Sequence, residues 1–117
     1  MAKFLFVLNG PAYGNEHSFN GIRLADSLVR HEGNEVRVFL IGDAVTCAKH
    51  GQKVPQGFYN LELMLHPILR HQGQIGVCGS CMDARGMTDS ELIEGCHRSS
   101  MEELTTWTLW AEKVLVF

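Results

Sequence analysis

The sequence predicts one α/β domain, residues 1–117, with three layers in which helices flank a mainly parallel β-sheet. Three observations support this fold class. Short apolar runs alternate with helical patterns and turn residues along the chain. The first run, KFLFVLN, has no alternating polar face, which is typical of a strand buried on both sides of a parallel sheet. The length of 117 residues suits a single domain.

The first half of the chain gives two strands and two helices. Residues 3–9 are predicted to form the first strand, and the turn-forming stretch GPAYGNE follows it. Apolar residues at helical spacing then predict a helix that ends at Gly33. EVRVFLI, residues 35–41, predicts the second strand. A short helix is expected next, with Asp43 as its N-cap and Gly51 at its end.

The third strand follows a helix that contains a proline. Residues 61–68 carry an apolar face at helical spacing, and Pro67 is expected to kink or break that helix. QIGVC, residues 74–78, predicts the third strand. The alternation of strands with helices indicates parallel pairing with right-handed connections.

The C-terminal third is predicted to hold two helices and a final strand. Thr88 and Glu91 have the spacing of a capping box, which predicts a helix over residues 89–97. One of the two adjacent serines that follow is expected to cap another helix, which ends at Trp110. The last apolar run, KVLVF, predicts a strand at the C-terminus.

Composition and charge argue against several classes of protein. Apolar residues make up 45% and charged residues 20%, as in ordinary soluble globular proteins. The net charge is -3 with scattered lysines and arginines, so no nucleic-acid partner is expected. The run FLFVL is too short to span a membrane and lacks a cleavage region. A cytoplasmic location is therefore expected, where the four cysteines stay reduced unless they are used.

The residues that carry chemistry follow predicted strands. Ligands bind parallel α/β sheets outside the carboxyl ends of the strands. GPAYGNE, GDAVTC and CGSCMDARG follow the first, second and third strands. Cys78 is expected where the third strand ends, with N–H groups of the next turn favouring its thiolate. Arg85 would add positive charge there and Asp83 would oppose it, and the alternative is that Cys78 is a small buried core residue.

Four blocks of sequence carry a resemblance to a known family: NGPAYGNE, GDAVTCAKHGQKVPQGFYNLE, VCGSCMDARGM and the C-terminal KVLVF. With these blocks in this order, essentially the whole chain resembles the DsrE/DsrF family, which includes TusD-type sulfur-relay subunits and YchN-like small proteins. The resemblance implies a small α/β fold. It also implies assembly into homo-oligomers, either trimers or hexamers, sometimes with paralogous subunits.

The resemblance also implies sulfur chemistry at Cys78. Sulfur-relay members carry a persulfide on one cysteine directly after a strand, eight residues before the glycine of an Arg-Gly pair. Counting back from Gly86 gives Cys78. The implied function is a sulfur carrier or sulfurtransferase, with sulfur donor and acceptor proteins as partners and no organic cofactor. Tyr13 and Gly14, on the loop after the first strand, are expected to line the pocket.

The second cysteine keeps another function open. Relay subunits of the family lack a cysteine three residues further on, whereas this chain has Cys81, a form closer to the YchN-like members. A thiol beside a persulfide can attack its inner sulfur, so a thiol–disulfide redox role is the second hypothesis. A redox pair usually opens a helix, and here DARGMTD precedes the next clear helix cap at Thr88, which argues against that role.

Two further hypotheses are a zinc site and a binding module. Cys78 and Cys81 form one pair with ligand spacing, and Cys47 and His50 form another. No ribbon or treble-clef pattern accompanies them, so no metal is expected. The remaining alternative is a non-catalytic oligomeric module that binds a ligand or partner, with Cys78 inert.

Overall fold

The computed structural model describes residues 2–117, and five parallel strands across that range form one sheet. The strands are β1 (Lys3–Leu8), β2 (Glu35–Leu40), β3 (Gln74–Cys78), β4 (Cys96–Ser99) and β5 (Lys113–Val116). Their order across the sheet is β4-β3-β2-β1-β5, and every pairing is parallel. The predicted α/β class is therefore confirmed.

Helices cover both faces of this sheet. They are α1 (His17–Val29), α2 (Leu61–Arg70), α3 (Gly79–Ala84) and α4 (Met101–Trp110). On one face, α1 packs against β1 and β2, and α2 packs against β3. On the other face, Trp107 of α4 meets the ring of Phe39 edge-on, with the ring centroids 6.3 Å apart. Both faces of the central strands are thus buried, which explains why their sequences are continuously apolar.

The segment after β2 differs from its prediction. It forms a 3₁₀ helix, Gly42–Ala48, with Ile41 as the N-cap and Asp43 in the first turn. The predicted N-cap role of Asp43 is therefore wrong. Gly42 adopts a φ of 60°, which glycine reaches without steric cost, so the chain turns out of the sheet one residue before Asp43.

Helix α2 continues through Pro67, so of the two predicted outcomes, a kink or a break, the break is wrong. Pro67 lacks the N–H that would bond to the carbonyl of Leu63, and inside a helix that loss costs about 3 kcal/mol. The helix ends only three residues later, at Arg70, so the disturbance lies close to its natural end. Burial of Pro67 and of the apolar face against the sheet offsets this cost: Leu61, Leu65 and Ile68 are all buried there.

The predicted helix over residues 89–97 is also wrong. The capping box between Thr88 and Glu91 is present, but it closes only a single 3₁₀ turn. Gly95 then adopts a φ of 99° and redirects the chain into β4. Pairing with β3 satisfies backbone groups that an uncovered edge of β3 would expose, and this tertiary requirement overrides the local helix signal.

The C-terminal elements agree with their predictions. Ser100 caps α4, and its side chain accepts a hydrogen bond from the N–H of Glu103. The last strand, β5, pairs with β1 at the edge of the sheet. Within residues 2–117 the longest helix has 13 residues, and none combines the length and apolarity that crossing a bilayer requires.

Candidate functional site

The segments that follow β1, β2 and β3 contact one another at the carboxyl edge of the sheet. The N–H of Ala12, after β1, donates to the hydroxyl of Thr46, after β2, over 3.0 Å. The N–H of Gly42, after β2, donates to the Sγ of Cys81, after β3, over 3.2 Å. The parallel topology thus brings together the three segments that carried the sequence signals.

Cys78 occupies a junction between strand and helix at this edge. It is the last residue of β3 and the N-cap of α3, and its side chain is 8% exposed. Its Sγ lies 3.4 Å from the hydroxyl oxygen of Ser80. Because α3 begins directly after Cys78, the Cys-x-x-Cys pair does open a helix. The prediction that no helix begins at this pair is therefore wrong, and the absence of a helix no longer argues against a redox role.

The start of α3 favours the thiolate of Cys78. Burial by itself raises the pKa of this thiol, but hydrogen bonds to the sulfur outweigh it. The donors are the Cys81 thiol, the Ser80 hydroxyl and the backbone N–H groups of Cys81 and Ser80. The pKa of Cys78 consequently lies below its ordinary value. N–H groups at a helix start are unpaired within the helix and carry partial positive charge, so they stabilise an anion there.

Cys81 has the opposite character. Burial raises the pKa of its thiol, and the hydrogen bond to Cys78 and the charge of the Cys78 thiolate raise it further. The N–H of Gly42 and the charge of Arg85 act in the other direction without reversing the shift. The pair is therefore asymmetric: the pKa of Cys78 lies below its ordinary value and that of Cys81 lies above it.

The other two cysteines are poor nucleophiles. Burial raises the pKa of Cys47 to about 12 and that of Cys96 to about 12. Both thiols stay protonated at neutral pH, and all four cysteines are free. Cys78 alone among the four has a lowered pKa.

The two cysteine-containing pairs with zinc-ligand spacing do not form a metal site in the part of the chain that is described. Nowhere in residues 2–117 do three or more His, Cys, Asp or Glu side chains gather in a way that could hold a metal ion. His50 instead contacts the carboxylate of Glu62, with Nδ1 and Oε2 2.8 Å apart. The ring of His50 is thus paired with Glu62 and not with a cysteine.

A cavity of about 350 Å³ opens beside Cys78. It extends across the ends of β2, β3 and β4, and Cys81 does not line it. Its lining residues come from β2, β3, α3, β4 and α4: Phe39, Cys78, Gly79, Ser80, Asp83, Arg98, Ser99, Ser100 and Met101. A larger groove of about 540 Å³ elsewhere on the surface, lined in part by His31 and His71, contains no cysteine.

Arg98 is the residue of this cavity that sequence reasoning missed. Its guanidinium bonds to Asp83 over 2.8 Å and to Asp89 over 3.3 Å. It also lies so close to the backbone of Gly79 that a Cβ there would be 2.9 Å from Nε. The signal was hidden because the helix predicted over residues 89–97 left no strand there; a fourth strand would have placed Arg98 near the same edge as Cys78.

Arg85 and Asp83, both predicted near the cysteines, take separate places. Arg85 pairs with Asp43 over 2.6 Å and donates to the carbonyl oxygen of Cys81 over 3.0 Å. Its positive charge therefore acts on Cys81. Asp83 lines the cavity and pairs with Arg98, so its negative charge is partly neutralised.

Tyr13 and Gly14 lie outside the lining of the cavity. The Tyr13 hydroxyl accepts a hydrogen bond from the N–H of Leu61 over 3.2 Å, and its ring packs against Tyr59 with centroids 5.5 Å apart. Gly14 adopts a φ of 108° in the same loop. The loop after β1 is thus tied to α2 and to the segment before it, rather than to Cys78.

The fold and the site together define a small α/β protein with an activated thiol at the carboxyl edge of a parallel sheet. A model of the DsrE/DsrF-like family matches residues 2–117. The chain belongs to this family.

Relatives of known sequence and structure agree with this assignment. The chain is 42% identical to the protein YchN of Escherichia coli K12 over 118 residues, covering 100% of both chains. It is 33% identical to the uncharacterised protein MK0008 of Methanopyrus kandleri, covering 95% of this chain and 90% of the other. The crystal structure of the YchN protein from E. coli matches with a TM-score of 0.93 and 41% identity over the full length of both chains.

Proposed function

We propose that this protein accepts sulfane sulfur on Cys78 as a persulfide and passes it to an acceptor thiol. The observation that carries the proposal is the position of Cys78 at the end of β3 and the start of α3, beside a cavity, where its pKa is lowered. The thiolate is the form that attacks sulfur, so a thiol activated in this way is suited to take sulfur from a donor. Membership of the DsrE/DsrF-like family supports the same chemistry.

The transfer is a pair of thiol exchange steps. The Cys78 thiolate attacks the outer sulfur of a donor persulfide, the sulfur–sulfur bond of the donor breaks, and the donor leaves as a thiolate. Cys78 then carries the sulfur and its proton as a persulfide. An acceptor thiolate attacks this outer sulfur in turn and restores the Cys78 thiolate.

The cavity offers the outer sulfur a polar environment. Ser80, Ser99, Ser100, Arg98 and Asp83 are among its lining residues. The Ser99 hydroxyl donates to Glu103 and the Arg98 guanidinium is paired with Asp83 and Asp89. The Ser80 hydroxyl, 3.4 Å from the Sγ of Cys78, is the side-chain donor already in place for negative charge on a terminal sulfur. A cavity of about 350 Å³ accommodates the sulfur and the tip of a donor chain or a small donor molecule.

The proposal includes donor and acceptor proteins and a reducing compartment. The outer sulfur of a persulfide on Cys78 has to be collected by a second protein, the acceptor. Between turnovers the Cys78 thiol must be free, which fits the cytoplasm, where thiols are kept reduced.

Self-association is a further part of the proposal, as a trimer or hexamer of this chain, with paralogous subunits as the variant. Apolar side chains are exposed on β5 and α4, with Val116 66% and Leu109 83% exposed. Strand β5 is also an unpaired edge. Light scattering of the purified protein tests this: Leu109→Glu and Val116→Lys should each lower the mass of the particle. A monomeric wild type would contradict the assembly.

Mass spectrometry of the intact protein tests the sulfur acceptor. Wild type, Cys78→Ser and Cys96→Ser are exposed to glutathione persulfide, freed of donor and measured at once. The wild type and the Cys96→Ser control should gain the mass of one sulfur atom, and Cys78→Ser should gain none. A gain that persists in Cys78→Ser, or no gain in the wild type, would contradict the proposal.

A thiol–disulfide redox protein is the second candidate. The observation in its favour is that the Cys-x-x-Cys pair opens α3, as a redox pair would. This candidate requires rapid exchange of the Cys78–Cys81 disulfide with a protein or small-molecule dithiol. On treatment with a disulfide, this protein should then lose two hydrogens as Cys78 and Cys81 form a disulfide. If this loss is faster than sulfur uptake, the redox function is favoured over the sulfur carrier.

A further inference from the structure

We infer that Cys81 is a resolving thiol, which attacks the inner sulfur of the Cys78 persulfide and releases hydrogen sulfide. The inference rests on the proposed persulfide at Cys78 and adds a second fate for its sulfur. With an acceptor protein present, the sulfur is passed on. Without one, the protein reduces the sulfur itself.

The first support is the position of Cys81 relative to the sulfur it would attack. Cys78 is the N-cap of α3 and Cys81 is the third helical residue, the position that an N-cap side chain faces. The inner sulfur of the persulfide is the Sγ of Cys78 itself, so Cys81 lies one helical turn from the atom at which resolution occurs, at the position that an N-cap side chain faces. The influence of each thiol on the pKa of the other agrees with this placement.

The second support is that Cys81 lies outside the cavity beside Cys78. The cavity is lined by residues of β2, β3 and β4, among them Phe39, Arg98 and Ser99. Cys81 does not line it, and its sulfur is instead bonded to the N–H of Gly42. Displacement at a sulfur atom is in line, with the attacking and leaving atoms on opposite sides. The resolving step therefore requires the outer sulfur to lie in the cavity while Cys81 attacks from outside it.

The third support is the set of groups around Cys81. The N–H of Gly42 donates to its sulfur over 3.2 Å, and Arg85 donates to its carbonyl oxygen over 3.0 Å. Both favour a thiolate at Cys81, whereas the Cys78 thiolate opposes it in the reduced protein. Once Cys78 carries a persulfide, its Sγ is bonded to the outer sulfur and no longer holds the negative charge. The opposing influence weakens at the stage when Cys81 has to react.

The step balances in atoms and electrons. The Cys81 thiolate forms a bond to the Sγ of Cys78, and the bond between the inner and outer sulfur breaks. The outer sulfur leaves with its proton and the bonding electron pair as hydrosulfide. The two cysteine sulfurs together lose two electrons, and the sulfane sulfur gains two. A low-molecular-weight thiol, used twice, or a dithiol then reduces the Cys78–Cys81 disulfide and resets the site.

The experiment follows one loaded protein over time without a reductant. Wild type, Cys81→Ser and Cys96→Ser are loaded with glutathione persulfide under anaerobic conditions and rapidly freed of donor. Free sulfide and intact mass are then measured at several protein concentrations. Serine at position 81 keeps a hydrogen-bond donor for Cys78 and an acceptor for Gly42 but cannot form a disulfide. Unloaded wild type, kept in parallel, reports disulfide formation from stray oxidant.

The expected result is sulfide release from the wild type and the Cys96→Ser control, with loss of the added sulfur and of two hydrogens. The rate should not depend on protein concentration, because the step is intramolecular. Cys81→Ser should keep its persulfide and release sulfide at least about tenfold more slowly, since it lacks the positioned thiol.

Two other results are distinguishable and each overturns the inference. Equal sulfide release from wild type and Cys81→Ser, or a persulfide that is stable in both, removes the resolving role and leaves the carrier at Cys78 intact. Failure of both proteins to take up sulfur removes the proposed persulfide, and the inference with it.

Discussion

Replacement of Cys81 by alanine tests whether the second thiol activates the first. The hydrogen bond from the Cys81 thiol is the largest of the contributions that lower the pKa of Cys78. Alanine removes this donor and leaves the Ser80 hydroxyl and the backbone N–H groups in place. The pKa of Cys78 should therefore rise, and its thiolate should form at higher pH than in the wild type.

The size of the effect follows from the strength of one hydrogen bond to an anion. A net contribution of about 1.4 kcal/mol corresponds to a tenfold lower fraction of thiolate below the inflection. A more basic thiolate is also a better nucleophile, with a Brønsted coefficient of about 0.4–0.5. The two effects combine to make alkylation of Cys78 roughly three- to fourfold slower near pH 7 and roughly threefold faster on the alkaline plateau.

The assay is the rate of alkylation of Cys78 by iodoacetamide as a function of pH, with the modified residue identified by peptide mass. Cys81→Ser is the matched control, because its hydroxyl still offers Cys78 a donor. Its thiolate should form at a pH no higher than in the wild type and lower than in Cys81→Ala, because a hydroxyl is a stronger donor than a thiol. Urea denaturation of each variant checks that the fold is retained, since alanine leaves the N–H of Gly42 without its sulfur acceptor.

The pH profiles of wild type and Cys81→Ala should cross, because the variant reacts more slowly near pH 7 and faster on the alkaline plateau. A profile for Cys81→Ala that coincides with that of the wild type would show that the Cys81 thiol does not activate Cys78. An inflection at lower pH would mean that Cys81 opposes the thiolate, and the asymmetry derived for the pair would be reversed.

Two further predictions concern stability and are measured by urea denaturation. In the turn between α2 and β3, Gly73→Ala should destabilise the protein by about 1–3 kcal/mol, because the new Cβ would lie 2.7 Å from the backbone oxygen of Ile68. At the adjacent position, Gln72→Gly should stabilise it by roughly 0.5–1 kcal/mol, since Gln72 holds a φ of 68°; effects of the same sign would contradict the geometry. Burial raises the pKa of the Cys47 thiol from 9.0 to about 12, so this thiol ionises at a lower pH in the unfolded chain than in the folded protein. The contribution of Cys47 to stability is therefore full below pH 9 and is lost between pH 9 and 12. Cys47→Ala should make the decline above pH 9 shallower by roughly 1.4 kcal/mol per pH unit, and an unchanged slope would argue against a buried neutral thiol.

The sequence was most informative where both faces of a strand are buried. Strand β1 could be predicted because a strand buried on both faces requires an unbroken apolar run. The position of Cys78 at the end of β3 could be predicted in the same way, because the apolar run of β3 ends there. Strand β4 is four residues long, CHRS, and its sequence carries no apolar pattern. It exists because its backbone completes the edge of β3, and that requirement is set by the rest of the fold.

The same limit explains what was missed at the site. Arg98 was not recognised because β4 was not recognised. Helix α3 was missed because it has only six residues and its N-cap is Cys78, and cysteine is not among the residue types that signal the start of a helix. Residues near the ends of long apolar strands can thus be placed from sequence, whereas short elements defined by their partners cannot.

The start of α3 ties two properties of the site together. The backbone groups and the Cys81 thiol that favour a thiolate at Cys78 also place a second sulfur beside it. Activation alone does not require that sulfur, because serine at position 81 would donate a hydrogen bond of at least equal strength to an anionic Cys78. What a thiol adds over a hydroxyl is the capacity to form a disulfide. Under the proposed function, a persulfide at Cys78 would have a limited lifetime set by Cys81, and the balance between relay and sulfide release would depend on how quickly an acceptor reaches the cavity.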